Sequence, residues 1–266
     1  MIFTKNDTST SDEQVEKLTR EIKIHYRYCI GSLVDLLSTR VYLSFSVPRL
    51  EKFSENTDKL HFEVSVHILK YIRDNNTLKL KYYANMNDAP VYDLLIQASI
   101  KTENNLMSFS DYSWQDCLDT GRSTGAYTIF YQGGLIDHGK HVTGLFAQSS
   151  AEIEYNAACT SGMALAHFRI LIHGFLNKDP EIFPEEAPII FLDSKSAICM
   201  ANNGKDTKHT RNIASRMDFV RNVEKCKMHK IDWREGGLKL ANIATNNVGE
   251  NDLTPRIRYI MVILDS

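Results

Sequence analysis

Four segments in the second half of the chain carry side chains able to bind hard cations: Phe109-Ser110-Asp111, Ala151-Glu152-Ile153-Glu154-Tyr155, Ile190-Phe191-Leu192-Asp193-Ser194 and Leu240-Ala241-Asn242-Ile243. Cutting a phosphodiester with divalent ions needs several carboxylates in one crevice, because the ions seek oxygen ligands and their charge must be balanced. Asp111 closes the run Leu106 to Ser110, whose apolar-polar alternation predicts a half-buried strand. Asp193 closes Pro188 to Leu192, a short continuous apolar run of the kind buried on both faces. Acids at strand ends line the sheet edge where α/β folds bind ligands. A single Asp in such a place is more often a turn or cap residue, so the weight rests on the joint occurrence.

Two acids compete for the helical position. Ser149-Ser150-Ala151-Glu152 has the spacing of a capping box, which gives Glu152 a structural role at a helix start. Glu154 shares a helical face with Ala157, Ala158, Ser161, Gly162 and Leu165, small residues that let the helix sit close on a sheet and bring Glu154 to its rim. Glu154 is therefore the preferred ligand.

The surrounding pattern supplies elements to hold these groups. Strands are expected near 106–111, 124–131, 135–146, 188–192 and 228–233, with Gly133-Gly134 as a hairpin signal between the second and third. Helices are expected near 151–176, 194–202, 210–225 and 238–245. Upstream, Leu33/Leu36/Leu37 and Phe62/Val66/Leu69 have helical spacing, with Val47-Pro48 expected to interrupt a helix, and Leu78/Leu80/Tyr82 alternates like a short strand. The division implied is a disordered tail at 1–12, a helical region at 13–103, a mixed α/β domain at 104–250 and a C-terminal tail at 251–266.

Five motifs then fall in one order: Asp111-Tyr-Ser-Trp114, Arg122-Ser-Thr-Gly-Ala-Tyr127, Ser149-Ser-Ala-Glu-Ile-Glu-Tyr155, Asp193-Ser-Lys-Ser-Ala197 and Ala241-Asn-Ile243. This series resembles the ribonuclease H region of copia-type retrotransposon Pol polyproteins. Upstream, Gly31-Ser-Leu33, Ser38-Thr-Arg40, Phe53, His61 and Ile68-Leu-Lys-Tyr71 resemble the connection between polymerase and nuclease in the same polyproteins. The polymerase signature, with adjacent aspartates, is lacking.

The resemblance implies an α/β fold of the ribonuclease H type, a mixed five-stranded sheet with helices on both faces, preceded by a small helical region. It implies hydrolysis of the RNA strand of an RNA:DNA hybrid, with Asp111, Glu154 and Asp193 holding two Mg²⁺ ions, or Mn²⁺, about 4 Å apart. Asn242 takes the fourth catalytic position. Hybrid contacts are expected from Arg122, Ser194, Lys208, His209, Arg211 and Arg216, by backbone shape rather than base identity. The partner expected beside the hybrid is the polymerase portion of the polyprotein.

Departures from the pattern weigh against activity. Ala241-Asn-Ile-Ala-Thr-Asn246 stands where the family has Ala-Asp-Ile-x-Thr-Lys, and Asn212 and Ala214 also break the pattern. An amide oxygen can ligate a cation but lacks the charge that helps to hold a second one. A catalytically dead remnant that at most binds nucleic acid is the alternative reading. An integrase-type transposase ranks lowest, because its last acid is a late Glu whereas Glu154 comes second here.

Composition is consistent with a globular protein: 266 residues, 43% hydrophobic, formal charge −2. Residues 204–240 nevertheless hold ten Lys/Arg against five Asp/Glu, which suits either a phosphate backbone or a solvated helix face. Five cysteines form no metal-binding spacing and point to reduced thiols in the cytoplasm or nucleus. No apolar run is long enough to cross a bilayer, and the polar N-terminus carries no signal core, so neither membrane insertion nor secretion is expected.

Overall fold

The computed structural model describes residues 26–55, 57–97, 105–113, 120–142, 150–177, 186–202, 214–233, 240–245 and 256–263. The expected tail at 1–12 lies outside them. The first layer is helical: α1 (Tyr26–Asp35), α2 (Val47–Glu51), α3 (Lys59–Asp74) and α4 (Pro90–Gln97), with a short strand β1 (Leu78–Leu80) between the last two. Pro48 starts α2 rather than interrupting a helix, because a residue in the first turn needs no backbone N–H and proline's fixed φ is already helical. At α3 the Asp58 side chain accepts from the Lys59 amide, and His61 Nδ1 accepts from the Asp58 amide at 3.0 Å, so an imidazole fills the place a Glu takes in a capping box. That ring also stacks on Phe53, with centroids 4.2 Å apart.

The second part of the chain builds a five-stranded sheet in the order β4-β3-β2-β5-β6. Its strands are β2 (Leu106–Ser113), β3 (Thr124–Tyr131), β4 (Gly134–Val142), β5 (Ile189–Leu192) and β6 (Lys230–Trp233). The first three pair antiparallel, and β2-β5 and β5-β6 pair parallel. Gln132 and Gly133 turn the β3-β4 hairpin with φ of 52° and 75°, the two left-handed positions of a type I′ turn. Glycine is needed at 133 for space as well, since a Cβ there would meet the Ala89 side chain at 2.1 Å.

Helices cover both faces. The long α5 (Ser150–Asn177) lies on one face with α6 (Lys195–Asn202) and α7 (Ala214–Lys225), burying Tyr155, Ala158 and Leu165 against Ile129, Ile190 and Leu192. The opposite face shares a core with the helical layer, in which Leu33, Leu50 and Leu95 join Met107, Phe109, Phe130 and Phe191. This corrects the expectation of a half-buried β2. Its apolar Met107 and Phe109 meet the helical layer, while its small polar Ser108 is also fully buried, sharing a 2.7 Å hydrogen bond with Ser161 of α5. The alternation distinguishes two covered faces, one large and apolar, the other small enough for close helix approach.

Residues 251–266 were expected as a tail, yet residues 256–260 are helical and β7 (Met261–Ile263) pairs antiparallel with β1, Leu78 opposite Ile263. Ile257, Ile260 and Met261 belong to the core of the helical layer. A small α8 (Asn242–Thr245) lies between the sheet and that layer, with Leu240, Ala241 and Ile243 in the same core.

One buried base makes folding pH-dependent. His229 packs on Gly162, whose Cβ would come within 2.5 Å of Nε2, and burial, with the Arg169 charge nearby, lowers its pKa to about 4. The unfolded chain takes up this proton near pH 6.5 and the folded chain only near pH 4, so acid favours unfolding within that window. Stability is expected to fall by about 2–3 kcal/mol between those limits, and His229→Gln to flatten the dependence, as read by urea denaturation across pH.

Candidate active site

The register of the parallel pair places two acids side by side. Phe109 of β2 lies opposite Phe191 of β5, and Asp111 and Asp193 each follow two residues later. Glu154 enters from the second turn of α5, on the face where Ala157, Ala158 and Ser161 are buried against the sheet. One carboxylate oxygen from each of Asp111, Glu154 and Asp193 lies within 4.8 Å of those of the other two. Among the described residues this is the sole grouping of acid, histidine and cysteine side chains with such geometry.

Asp111 and Glu154 are buried and Asp193 is half-buried. Carboxylates ionised together at this range repel one another, and bound cations relieve that repulsion. All-oxygen donors of this kind suit Mg²⁺, Mn²⁺ or Ca²⁺ rather than soft metals. The residues present therefore fit a divalent ion.

Thr245, fully buried at the end of α8, donates its hydroxyl to Asp111 Oδ2. A charge-assisted bond of this type holds a carboxylate in one rotamer. Thr245 was not among the residues singled out from sequence, although it sits three positions after Asn242 in the same motif. The Asn242 backbone opens α8, and its side chain lies outside the described residues.

The other candidates are dispersed. Glu152 is buried but does not join the trio. Ser194 Oγ accepts from the Ala197 amide at 3.2 Å, which caps α6 directly after Asp193. Arg122 is exposed ahead of β3. Arg216 of α7 approaches β4, where burial and then the Arg216 charge hold His141 below the usual imidazole value. Asp232 lies in β6 opposite Phe191, away from the trio. Lys208, His209, Arg211 and Trp114, and the side chain of Trp233, lie outside the described residues.

A mixed five-stranded sheet between two helical layers, with acids meeting beyond β2 and β5, is the ribonuclease H-like α/β architecture that the resemblance implied. No protein-family model matches the chain. It is 25% identical over 249 residues to the retrovirus-related Pol polyprotein from transposon TNT 1-94 of Nicotiana tabacum, across 92% of the chain and 16% of that polyprotein. The Pol polyprotein from transposon RE1 of Arabidopsis thaliana is 21% identical over 229 residues, across 86% of the chain and 14% of the polyprotein. The resemblance to copia-type Pol polyproteins thus runs through most of the chain, which spans 14 to 16% of the length of these relatives. A crystal structure of ribonuclease H1 from Halobacterium salinarum NRC-1 aligns with 53% of the chain and 94% of its own, at 13% identity and a TM-score of 0.36.

The carboxylate repulsion predicts an inversion. In metal-free buffer Asp193→Asn should unfold about 2–4 °C above the parent chain, because one negative charge is gone. With millimolar Mg²⁺ the parent should gain stability and the variant much less, as read by calorimetry; equal gains would remove the cation site.

Proposed function

We propose that the chain is a ribonuclease H-type domain that hydrolyses the RNA strand of an RNA:DNA hybrid, with activity weakened by Asn242. The observation that carries this reading is the convergence of Asp111, Glu154 and Asp193 within 4.8 Å in a chain that resembles Pol polyproteins. These three residues would hold Mg²⁺, with Mn²⁺ as a substitute. Bound divalent ions would lower the pKa of an attacking water and stabilise charge on the leaving 3′ oxygen.

The chain's own contribution is placement. The parallel β2-β5 register aligns Asp111 with Asp193, α5 delivers Glu154, and Thr245 fixes the Asp111 carboxylate. Asn242 begins the helix that ends at Thr245, so a ligand from that position would come from the same short element. An amide there offers oxygen without charge, which lowers affinity for a second cation. The partner is an RNA:DNA hybrid, and the natural setting is a larger polyprotein that includes a polymerase. Ser194, Arg122 and Arg216, with Lys208, His209 and Arg211, are candidates for backbone contacts.

Asn242 also favours a second reading, a remnant that has lost catalysis and only binds nucleic acid. Cleavage of a labelled hybrid in Mg²⁺ and in Mn²⁺ separates the two. Slow cleavage is expected, abolished in Asp193→Asn and raised at least tenfold in Asn242→Asp. Equal rates for the parent and Asp193→Asn would remove the enzyme, and no gain from Asn242→Asp would remove the explanation for its weakness.

A further inference from the structure

Beyond Glu154, no charged side chain of α5 is exposed. From Tyr155 to Asn177 the helix holds a single Asp, Glu, Lys or Arg residue, Arg169, which is buried and donates its guanidinium to the Lys227 carbonyl in the turn ahead of β6. His173 is buried one turn further along the same side. The inward face is thus pinned to the molecule, and the outward face is apolar. Met163, Ile170, Leu171 and Phe175 are 50%, 48%, 39% and 84% exposed, and their spacing sets them on one side of the helix, with Gly174 among them.

Gly174 adds an independent observation. A Cβ there would meet nothing within 4 Å, so packing within the chain does not require glycine, although glycine weakens a helix relative to alanine. Its benefit is the close approach of a second helix. The four exposed side chains present about 400–500 Å² of apolar surface, toward the upper end of what a monomer shows. At the roughly 65% apolar share of a homodimer interface, this corresponds to about 700 Å² per copy, close to the ~800 Å² of a standard interface. A face without charge also suits pairing with itself, because like ions brought together across a two-fold axis repel. The formal charge of −2 opposes self-association only weakly.

We propose that this face of α5 binds a second copy of the chain, as an antiparallel helix pair across a two-fold axis, with Phe175 as the anchor. An axis beside Ile170 sets Gly174 of each copy against the turn of the other that carries Ala166 and His167, where small residues let the helices close. Phe175, the most exposed large apolar residue, is then covered. Glu154 lies about 24 Å along α5 from Ile170, so the pair holds its two acid trios about 48 Å apart along the helices and covers neither. The pairing uses none of the three carboxylates and does not depend on the nuclease reading.

The test is sedimentation equilibrium of the full chain from about 1 to 100 µM, with Phe175→Glu, Gly174→Ala and, as a control on the helical layer, Leu60→Glu. The parent should show a monomer-dimer equilibrium with a dissociation constant on the order of micromolar. Phe175→Glu should raise that constant at least a hundredfold, because the two-fold axis counts the substitution twice. Leu60→Glu should leave it unchanged. Gly174→Ala separates pairing from folding by opposite signs: the dimer should weaken by about tenfold, while the dilute monomer should unfold at a higher temperature. Circular dichroism identifies any variant that does not fold, and Gly174→Ala then decides. A parent chain monomeric throughout the range, dimers equally stable in Phe175→Glu or Gly174→Ala, open-ended oligomers without a dimer limit, or a monomer that instead binds a separately made polymerase portion through Phe175 would each overturn the proposal.

Discussion

The convergence of Asp111, Glu154 and Asp193 on one point is the constraint around which the rest of the molecule is organised. Three carboxylates with oxygens within 4.8 Å of one another do not gather without structure that holds them there. Two are held by backbone register: β2 and β5 are parallel neighbours, and residues that follow the Phe109-Phe191 row by equal steps emerge together. The third depends on how closely α5 approaches the sheet, which Ala157, Ala158 and Ser161 permit. The Ser108-Ser161 hydrogen bond crosses the same interface and satisfies two hydroxyls that burial would otherwise penalise.

The helical layer is a structural half of the sheet rather than an appendage. Phe109 and Phe191, the paired residues that precede the two aspartates, have ring centroids 5.1 Å apart and lie in the core that α1, α2 and α4 complete. Thr245, which orients Asp111, belongs to an element whose Ala241 and Ile243 pack in that core too. Disturbance of the helical layer therefore reaches the carboxylates through two routes, the phenylalanine row and α8.

Much of this arrangement was legible in the sequence, for local reasons. The Gly133-Gly134 pair announces the β3-β4 hairpin, and the unbroken run Pro188 to Leu192 announces a strand covered on both faces. The small-residue face of α5 separates Glu154 from Glu152, and Glu154 is the acid that lies within reach of the two aspartates. What escaped depends on partners distant in sequence. Nothing near 261–263 signals that these residues pair with Leu78–Leu80, because the two strands are far apart in sequence and meet only in the folded helical layer. The alternation in β2 has the period of a half-exposed strand, and only the presence of a second layer converts it to full burial. Thr245 gives no periodic signal, since its role is a single hydroxyl placed by a four-residue helix.

The most direct measurement of the central claim is anomalous diffraction from crystals of the chain grown with Mn²⁺. The account predicts manganese peaks bounded by the carboxylates of Asp111, Glu154 and Asp193, the second weaker than the first or absent, because residue 242 is an amide. Manganese bound elsewhere, with the three carboxylates turned apart, would contradict it.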